Sequence, residues 1–407
     1  MISPIPARGL FRQVCTLSLS AVLTLLVLSQ LAQAQTYTIL HSFTGAPDDA
    51  TEPNGDLVQD ASGNLYGTSW RGGTNDLGAV FKLDTGGTVT ILHNFTGAAD
   101  GSHPEGGLFQ DPTGNLYGTT TAGGSNGLGT VFELDTNNVV TSLHSFKGGA
   151  DGAQPFSRLV SISGELYGVT QSGGITGSSC NCGTIFKVSK GGKETVLHRF
   201  AIGTDGESPQ GVIRDAAGNL YGVARYTSEA YGTVFKLDAA GVFTVLFAFN
   251  DPGEGMYPVG RLIRDTNGNI HGVTQAGGTA NCTGVVYRLD TSGQEEMEHC
   301  FSRGVNGDLP LAGLLDVGGA LYGTTYSGGY STCGYDCGVF FQLSKTGQYA
   351  VIHRFAGAAA GDGEDSESGG LTLGSDGSIY GTTRHGGTGI CTNGSFPGCG
   401  VIFKYTP

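Results

Sequence analysis

The chain has 407 residues and 72 of them are glycine, about 18%, whereas an average protein has about 7%. Because each glycine inside a helix costs about 1 kcal/mol, this content excludes a mainly helical protein. Glycine does not recur at every third position, which excludes collagen, and an apolar fraction of 38% argues against disorder. A turn-rich β protein remains.

The first 34 residues have the pattern of an export signal. Arg8 and Arg12 precede an apolar run over residues 17–28, and the small-residue site Ala32-Gln33-Ala34 follows. We predict cleavage after Ala34, which releases residues 35–407 as a single domain to the periplasm or the exterior. The C-terminal residues show no second apolar segment, so a membrane anchor is not expected.

The formal net charge is −14, and it becomes −16 once Arg8 and Arg12 are removed. Nucleic acids and anionic membranes are recognised by clustered Lys and Arg, so neither is an expected partner. The charge also fits a soluble exported monomer.

Residues 107–146 show the strands of one repeated unit. Short alternating or apolar runs at 107–111, 115–120, 130–135 and 139–146 are separated by turns rich in Gly and Asn. We name these strands A, B, C and D, from the inside of the fold to the outside.

The unit recurs along the chain, marked by the Tyr of Tyr-Gly-Thr. Successive markers are 50 to 58 residues apart: Tyr66, Tyr117, Tyr167, Tyr221, His271 (in place of Tyr), Tyr322 and Tyr380. Such a period with four short strands predicts an all-β, seven-bladed β-propeller with four-stranded blades. Residues 36–43 read as a D strand without a preceding blade, and 400–405 as a C strand without its D. The N-terminal strand is therefore expected to complete the last blade.

The recurring L-x-x-D-x-x-G-N-L-Y-G-T-T, G-G-x-x-x-x-G-T-V-F-K-L-D and x-L-H-x-F segments resemble the GloVer tandem-repeat family of bacterial exported proteins, known as choice-of-anchor proteins. The resemblance covers nearly all of residues 36–407 and implies an exported β-propeller. It supplies no activity and no catalytic residues. The D-x-x-G-N-L-Y turn is also similar to NHL-type propeller repeats, a weaker analogy.

Eight cysteines follow the predicted signal, as local pairs: Cys180/Cys182, Cys282/Cys300, Cys333/Cys337 and Cys391/Cys399. An even number in an exported chain favours disulfides. Cys282 and Cys300 would lie nearly opposite each other in a hairpin of strands 285–290 and 294–301. The pairing of Cys180 with Cys182 has the weakest support, because a bridge across one residue is strained. Zinc binding is the alternative for these clusters.

Two further positions recur in the repeats. The x-L-H-x-F histidine is present as His41, His93, His144, His198, His299 and His353, with Phe247 in the remaining unit. We expect one structural hydrogen bond per blade, because histidines on the outer strands of different blades should lie well over about 10 Å apart, too far to share one metal centre. An acidic residue lies four places before a proline at Asp49, Asp100, Asp151, Asp205 and Glu254. These carboxylates would surround one channel mouth, either as a Ca²⁺ site or as Asp-Gly turns.

One position varies where the rest of the unit is constant. Four residues after the marker stand Trp70, Thr121, Gln171, Arg225, Gln275, Tyr326 and Arg384, and the next residues include Arg71, Tyr226 and His385. Aromatic and planar polar groups suit sugar rings and carboxylated ligands, and loops on a rigid scaffold often carry function. We expect a ligand-binding surface here, unless the position varies because nothing constrains it.

No H-E-x-x-H, G-x-S-x-G or Walker motif is present, and no cofactor other than a structural Ca²⁺ is expected. We therefore predict a binding module whose ligand is a carbohydrate or another cell-surface component. The alternatives are a lyase or hydrolase, in which His385 would be the general base beside Arg384, and a scaffold for protein interaction. The sequence leaves these three open.

Overall fold

A computed structural model describes residues 35–174, 180–203, 205–279, 281–329, 337–366, 370–391 and 397–407. Seven antiparallel sheets follow one another along the chain and form the predicted seven-bladed propeller. The predicted signal, residues 1–34, lies outside the described residues. Within the described part of the chain, no helix has the length and apolar character needed to span a bilayer.

Blades 1 to 4 each run from the inner strand A to the outer strand D. Blade 1 contains β2 (Ala50–Gln59), β3 (Leu65–Gly72), β4 (Ala79–Leu83) and β5 (Val89–Asn94). Blade 2 contains β6 (Phe109–Gln110), β7 (Leu116–Thr120), β8 (Thr130–Leu134) and β9 (Val140–Ser145). Blade 3 contains β10 (Ala153–Pro155), β11 (Val160–Ile162), β12 (Glu165–Ser172), β13 (Thr184–Val188) and β14 (Glu194–Arg199). Blade 4 contains β15 (Glu207–Arg214), β16 (Leu220–Tyr226), β17 (Thr233–Leu237) and β18 (Phe243–Ala248).

Blade 5 contains β19 (Met256–Arg264), β20 (Ile270–Ala276), β21 (Val285–Leu289) and β22 (Glu295–Cys300). Blade 6 contains β23 (Leu315–Val317), β24 (Ala320–Thr324), β25 (Val339–Leu343) and β26 (Tyr349–Arg354). Blade 7 contains β28 (Thr372–Leu373), β29 (Ile379–Thr383), β31 (Val401–Thr406) and β1 (Thr36–Ser42), with β27 (Gly363–Glu364) and β30 (His385–Gly386) as a separate pair. The described connections also hold short 3-10 helices at Gly149–Asp151, Pro252–Glu254 and Ala358–Ala360.

The N-terminal strand closes the ring as predicted. β1 pairs antiparallel with β31, with Tyr37 opposite Tyr405 and Ile39 opposite Phe403. The first and last strands of the propeller thus share a sheet, so closure leaves no open blade edge at this junction.

The hydrophobic core lies between the blades. The Phe of each x-L-H-x-F segment is fully buried and meets the edge of an aromatic ring on strand C of the next blade. The ring centroids are 5.1 to 5.7 Å apart in the seven pairs, which are Phe43–Phe81, Phe95–Phe132, Phe146–Phe186, Phe200–Phe235, Phe249–Tyr287, Phe301–Phe341 and Phe355–Phe403. Edge-to-face packing of this kind adds about 1 kcal/mol per pair to the burial of the rings.

The Gly after each marker residue makes room for this ring. A Cβ on Gly118 would lie 2.6 Å from Cζ of Phe132, and the same ring position opposes the equivalent glycine in the other blades. The glycine of Tyr-Gly-Thr is therefore a packing requirement of the sheet, and not a turn.

The recurring histidines contact the recurring carboxylates. In five blades, Nε2 of the imidazole lies 2.7 to 3.3 Å from a carboxylate oxygen: His41–Asp49, His93–Asp100, His144–Asp151, His198–Asp205 and His353–Asp362. A β-bulge immediately precedes the histidine in the strand D that carries it, as between β8 and β9. The predicted structural contact is therefore present in five blades, and in four of them the carboxylate belongs to a residue that the sequence offered as a calcium ligand.

Two blades depart from this pairing. Phe247 replaces the histidine in blade 4, and the corresponding Glu254 accepts from the backbone N–H groups of Asn250 and Asp251 at 3.0 and 3.2 Å. His299 in blade 5 is followed by Asn306 in place of the acid. Nε2 of His299 is buried without a hydrogen-bond partner among the described residues. Burial lowers the pKa of His299 to about 4.

Three predicted disulfides are confirmed: Cys180–Cys182, Cys282–Cys300 and Cys391–Cys399. Their oxidation removes these six cysteines as zinc ligands, and it fits an oxidising compartment. The predicted pair Cys333–Cys337 includes Cys333, which lies outside the described residues.

The substitution Gly118→Ala tests the packing role of the strand B glycine. We expect the free energy of unfolding to fall by about 1–3 kcal/mol, because the new methyl group overpacks against Phe132. Denaturant unfolding followed by circular dichroism measures this loss. Gly191→Ala is the matched control, since the atom nearest to its added Cβ would be Ser189 Oγ at 3.8 Å. Equal stability of the two variants would contradict the packing role.

The substitution His299→Phe tests the unpaired imidazole. The folded state holds the pKa of His299 near 4, below the ordinary value of 6.5, so the unfolded chain binds a proton first. Stability carried by neutral His299 is therefore lost as the pH falls from about 6.5 to about 4. We expect His299→Phe to flatten this part of the stability–pH curve measured by urea unfolding.

The control for this experiment is His93→Phe, which removes a histidine that contacts Asp100 at 3.1 Å. That variant should lose about 1 kcal/mol at pH 7, because Asp100 loses a buried partner. Parallel stability–pH curves for wild type and His299→Phe would show that His299 does not set the acid response.

Candidate functional site

A cavity of about 250 Å³ occupies the central channel of the propeller. The A strands of blades 1 to 6 line it, together with the ends of the B strands of blades 3, 4 and 5. Its polar lining side chains are Asp56, Glu105, Ser157, Arg158, Gln171, Gln210, Arg225, Arg261 and Gln275.

Three charged side chains of the channel come from strand A. Each lies where the regular pairing of strand A with strand B is interrupted. In blade 1 the register shifts between Asn54 and Val58, and in blade 5 between Val259 and Ile263. In blade 3 the inner strand is interrupted between β10 and β11. Asp56, Arg261 and Arg158 lie in these three irregularities, which fits the way that β-bulges redirect side chains near sites.

Asp56 joins the two arginines into one ion cluster. Its Oδ2 accepts from Nη1 of Arg158 at 3.4 Å and lies 3.3 Å from Nη2 of Arg261. Burial lowers the pKa of Arg158, and the Asp56 carboxylate opposes that shift. One carboxylate is shared by two guanidinium groups, so the cluster carries an excess of positive charge.

Glycine occupies the equivalent A-strand position in the other described blades and keeps the channel narrow. A Cβ on Gly107 would lie 2.7 Å from the backbone N of Asp56, and one on Gly313 would lie 2.9 Å from that of Arg261. The inner strands therefore approach too closely for a side chain at these positions. The few charged residues that replace glycine dominate the chemistry of the channel.

The variable B-strand position divides into two groups. Gln171, Arg225 and Gln275 line the cavity, and Nη2 of Arg225 donates to Oε1 of Gln275. Thr121 and Tyr326 are not among the lining residues. The predicted surface is thus only partly assembled around the channel.

Trp70 and Arg384 form a second group on blades 1 and 7. The guanidinium carbons of Arg71 and Arg384 lie 4.9 and 5.0 Å from the centroid of the Trp70 ring. Nε of Arg384 donates to Oε2 of Glu52 at 2.8 Å. The only Trp of the chain therefore has two guanidinium groups within cation–π distance of its ring.

His385 lies next to this second group. Its Nδ1 is 3.3 Å from Oδ2 of Asp365, whose side chain is 1% exposed. The two atoms lie within ion-pair distance, and neither residue lines the channel cavity.

Three tyrosines of blades 4 and 5 form a ring cluster that begins beside Arg225. Tyr226 follows Arg225, is 40% exposed, and its ring centroid lies 5.4 Å from that of Tyr257. Tyr231 lies 6.3 Å from Tyr257 on the other side. Arg225 belongs to both the cavity and this group, because its guanidinium carbon is 5.2 Å from the Tyr226 ring.

The five predicted calcium ligands lie in different inter-blade loops and none of them lines the cavity. Asp49, Asp100, Asp151 and Asp205 face the histidines of outer strands, so they do not form the expected ring around the channel mouth. Their carboxylates turn outwards because the imidazole provides a hydrogen-bond partner there. A cation at individual loops stays a prediction.

The predicted site residues do not include Asp56, Arg158 and Arg261, although one repeat position singles them out. The residue before the apolar anchor of strand A is Asp56, Gly107, Arg158, Gly211, Arg261, Gly313 and Gly370 in the seven units. Charged residues among glycines at one position are the same kind of variation that pointed to Trp70. Gln210 and Glu105 carry no comparable signal, and Tyr257 of β19 meets Tyr226 of β16 only across the junction between blades 4 and 5.

The protein is a seven-bladed β-propeller with a polar cavity at its axis. The model of the Gloeobacter/Verrucomicrobia repeat matches residues 26–228 and 208–407. The chain therefore belongs to the Gloeobacter/Verrucomicrobia repeat family. A comparison with curated protein sequences finds no match.

Solved structures share the fold at low identity. The extracellular domain of a candidate one-component system from B. thetaiotaomicron has a TM-score of 0.56 at 11% identity, covering 91% of this chain and 40% of that one. Puromycin hydrolase has a TM-score of 0.55 at 12% identity, covering 82% and 50% of the two chains. A gluconolactonase from Xanthomonas campestris has a TM-score of 0.44 at 11% identity, covering 92% and 90%. The first two likenesses show the propeller fold and no activity, and this chain spans half or less of each of those two proteins.

The substitution Asp56→Asn tests the ion cluster. We expect a loss of about 1–3 kcal/mol in the free energy of unfolding, because two partly buried guanidinium groups lose their shared counter-ion. Sulfate should restore part of this loss by binding between the arginines. Thermal unfolding with and without sulfate measures both effects.

The control is Asp76→Asn, which breaks the exposed pair of Arg71 and Asp76 at 3.8 Å. Exposed pairs contribute little, so its loss should stay below about 0.5 kcal/mol. If Asp56→Asn is as stable as this control, the channel arginines do not depend on Asp56.

Proposed function

We propose that this protein is an exported binding module that takes a carboxylated carbohydrate at the mouth of its central channel. The observation that carries the proposal is the cluster of Arg158, Arg225 and Arg261 in a cavity of a chain whose net charge is −14. Cations concentrated in one pocket of an acidic protein favour an anionic ligand, and guanidinium groups match the two oxygens of a carboxylate.

Arg225 supports a carboxylate contact most directly. Its Nη2 donates to Gln275, but its Nε is buried and has no hydrogen-bond partner among the described residues. A buried donor of this kind gains when a ligand oxygen reaches it, since leaving it unsatisfied costs about 1–3 kcal/mol. Arg158 and Arg261 share the Asp56 carboxylate, and the lining as a whole has three arginines against the two acids Asp56 and Glu105.

The remaining groups favour a sugar over a small acid. Gln171, Gln210 and Gln275 offer amide donors and acceptors for hydroxyl groups around the cavity. The exposed ring of Tyr226 continues from Arg225 towards the outside, where the apolar face of a sugar ring can stack on it. An acidic sugar would thus place its carboxylate in the channel and its neighbouring rings over the tyrosines.

Export is part of the proposal. Residues 1–34 have the composition of a signal, and the disulfides fit an oxidising compartment. Polysaccharides and cell-surface glycans are present on that side of the membrane, so such a ligand would be available to a secreted or periplasmic monomer.

A glycan array that contains uronic acid oligosaccharides tests the proposed ligand class. We expect binding to carboxylated glycans and no binding to their neutral counterparts. Calorimetry with trigalacturonate and with a galactose trisaccharide then measures the difference. Arg261→Gln should weaken binding of the best carboxylated glycan at least about tenfold, which is about 1.4 kcal/mol.

Arg303→Gln is the matched control, because the Arg303 side chain is 87% exposed and does not line the cavity. It should bind like wild type. Equal binding of neutral and carboxylated glycans, or an unchanged affinity in Arg261→Gln, would refute the proposal. Trp70→Ala and Tyr326→Ala in the same array test the rest of the predicted surface, and unchanged binding would remove both residues from the site.

A lyase or hydrolase is the second candidate, favoured by the contact of His385 with Asp365 beside Arg384. A lyase acting on uronates would release unsaturated products that absorb in the ultraviolet, and a hydrolase would release new reducing ends. Bound oligosaccharides that stay intact support the binding module. A product that the wild-type protein releases and His385→Ala does not release would show that the protein is an enzyme.

A further inference from the structure

A residue at or next to the start of each outer strand occupies an equivalent position in all seven blades. These seven residues stand four places before the histidine or phenylalanine of their own strand: Tyr37, Val89, Val140, Glu194, Phe243, Glu295 and Tyr349. Three of them stack their rings on the neighbouring imidazole, with centroids 3.6 to 3.9 Å apart. The position is therefore an apolar or aromatic contact between blades, except where glutamate occupies it.

Glu194 of blade 3 is such an exception, and it covers a histidine–aspartate pair. His144 Nε2 and Asp151 Oδ2 of the preceding blade lie 3.2 Å apart, and one ligand atom from each of the three residues lies within 4.8 Å of the other two. Oε1 of Glu194 is buried without a hydrogen-bond partner among the described residues. Glu194 therefore places a carboxylate where other blades have an apolar side chain, beside the carboxylate of Asp151 and the imidazole of His144.

This arrangement needs positive charge. Asp151 and Glu194 each bring a carboxylate oxygen within 4.8 Å of the other and of a His144 nitrogen. Of the cations nearby in the chain, Lys147 is exposed, and Nε of Arg199 donates to the carbonyl of Ala150 at 3.2 Å. The two carboxylates are thus only partly compensated by the protein itself.

We propose that His144, Asp151 and Glu194 bind a divalent transition-metal cation of the zinc type between blades 2 and 3. One imidazole nitrogen and two carboxylate oxygens form a ligand set that suits zinc, whereas calcium prefers oxygen alone. Zinc bonds of about 2.0–2.2 Å require ligand atoms about 3.5 Å apart, so a side-chain movement of about 1 Å closes the site. The metal would replace the proton on Nε2 and link the outer strands of the two blades.

The chain contains its own comparison in blade 5. Glu295 holds the same position there, but the preceding blade offers Phe247 and Glu254 in place of an imidazole and its aspartate. Burial, followed by the charge of Glu254, raises the pKa of Glu295 to about 7. Because this pair of carboxylates has no nitrogen ligand beside it, it serves as a control for the metal site.

Calorimetric titration of the untagged, EDTA-dialysed protein with ZnCl₂ at pH 7.5 tests the proposal. We expect one equivalent to bind with a Kd in the micromolar range and to raise the Tm by at least about 2 °C. Glu194→Val introduces the residue of blades 1 and 2 and should abolish this equivalent, while Glu295→Val should leave it unchanged.

His144→Phe provides a second loss-of-ligand variant, should Glu194→Val not fold, because Phe247 already occupies the equivalent position in blade 4. Visible absorption of the Co²⁺-loaded wild-type protein reports a low-symmetry nitrogen and oxygen site independently of any variant. A wild-type Kd weaker than about 1 mM would overturn the proposal. Several equivalents that persist in Glu194→Val would also overturn it, since they would assign metal binding to the histidine–aspartate pairs alone.

Discussion

The edge-to-face contact between a strand D phenylalanine and the strand C ring of the next blade sets the spacing of the whole propeller. Phe146 meets Phe186 in this way, and Gly168 leaves the space that Phe186 occupies. Because all seven junctions use the same contact, the blades are related by nearly equal steps and the ring can close. This packing contact requires both the strand B glycine and the phenylalanine of the x-L-H-x-F motif.

Closure has a consequence at the axis. Equal blades bring the inner strands so close that Gly107 and Gly313 have backbone atoms of the neighbouring strand where a side chain would be. Only irregular inner strands can carry a large residue there, as those with Asp56, Arg158 and Arg261 do. The channel chemistry is therefore concentrated in a few blades, and its positive charge contrasts with the net negative charge of the chain.

The outer strands also repeat one contact in most blades, and there the contact is made by polar side chains. A repeated imidazole and carboxylate hold each loop against the strand before it. Where a blade departs from the repeat, as at His299 or Glu194, a polar group remains without its usual neighbour. In a protein built from near-identical modules, the exceptions are where specific chemistry can be placed at small cost to the fold.

The sequence alone determined the number of blades, the strand order, the closing strand and three disulfides, because each depends on local periodicity and on neighbours within one unit. It also pointed to Gln171, Arg225 and Gln275. It could not join them to Asp56, Arg158 and Arg261, nor His144 to Glu194, because these residues come from different blades. Only the tertiary structure decides which side chains meet across the channel and between neighbouring blades, since that depends on bulges, ring packing and closure, and not on distance along the chain.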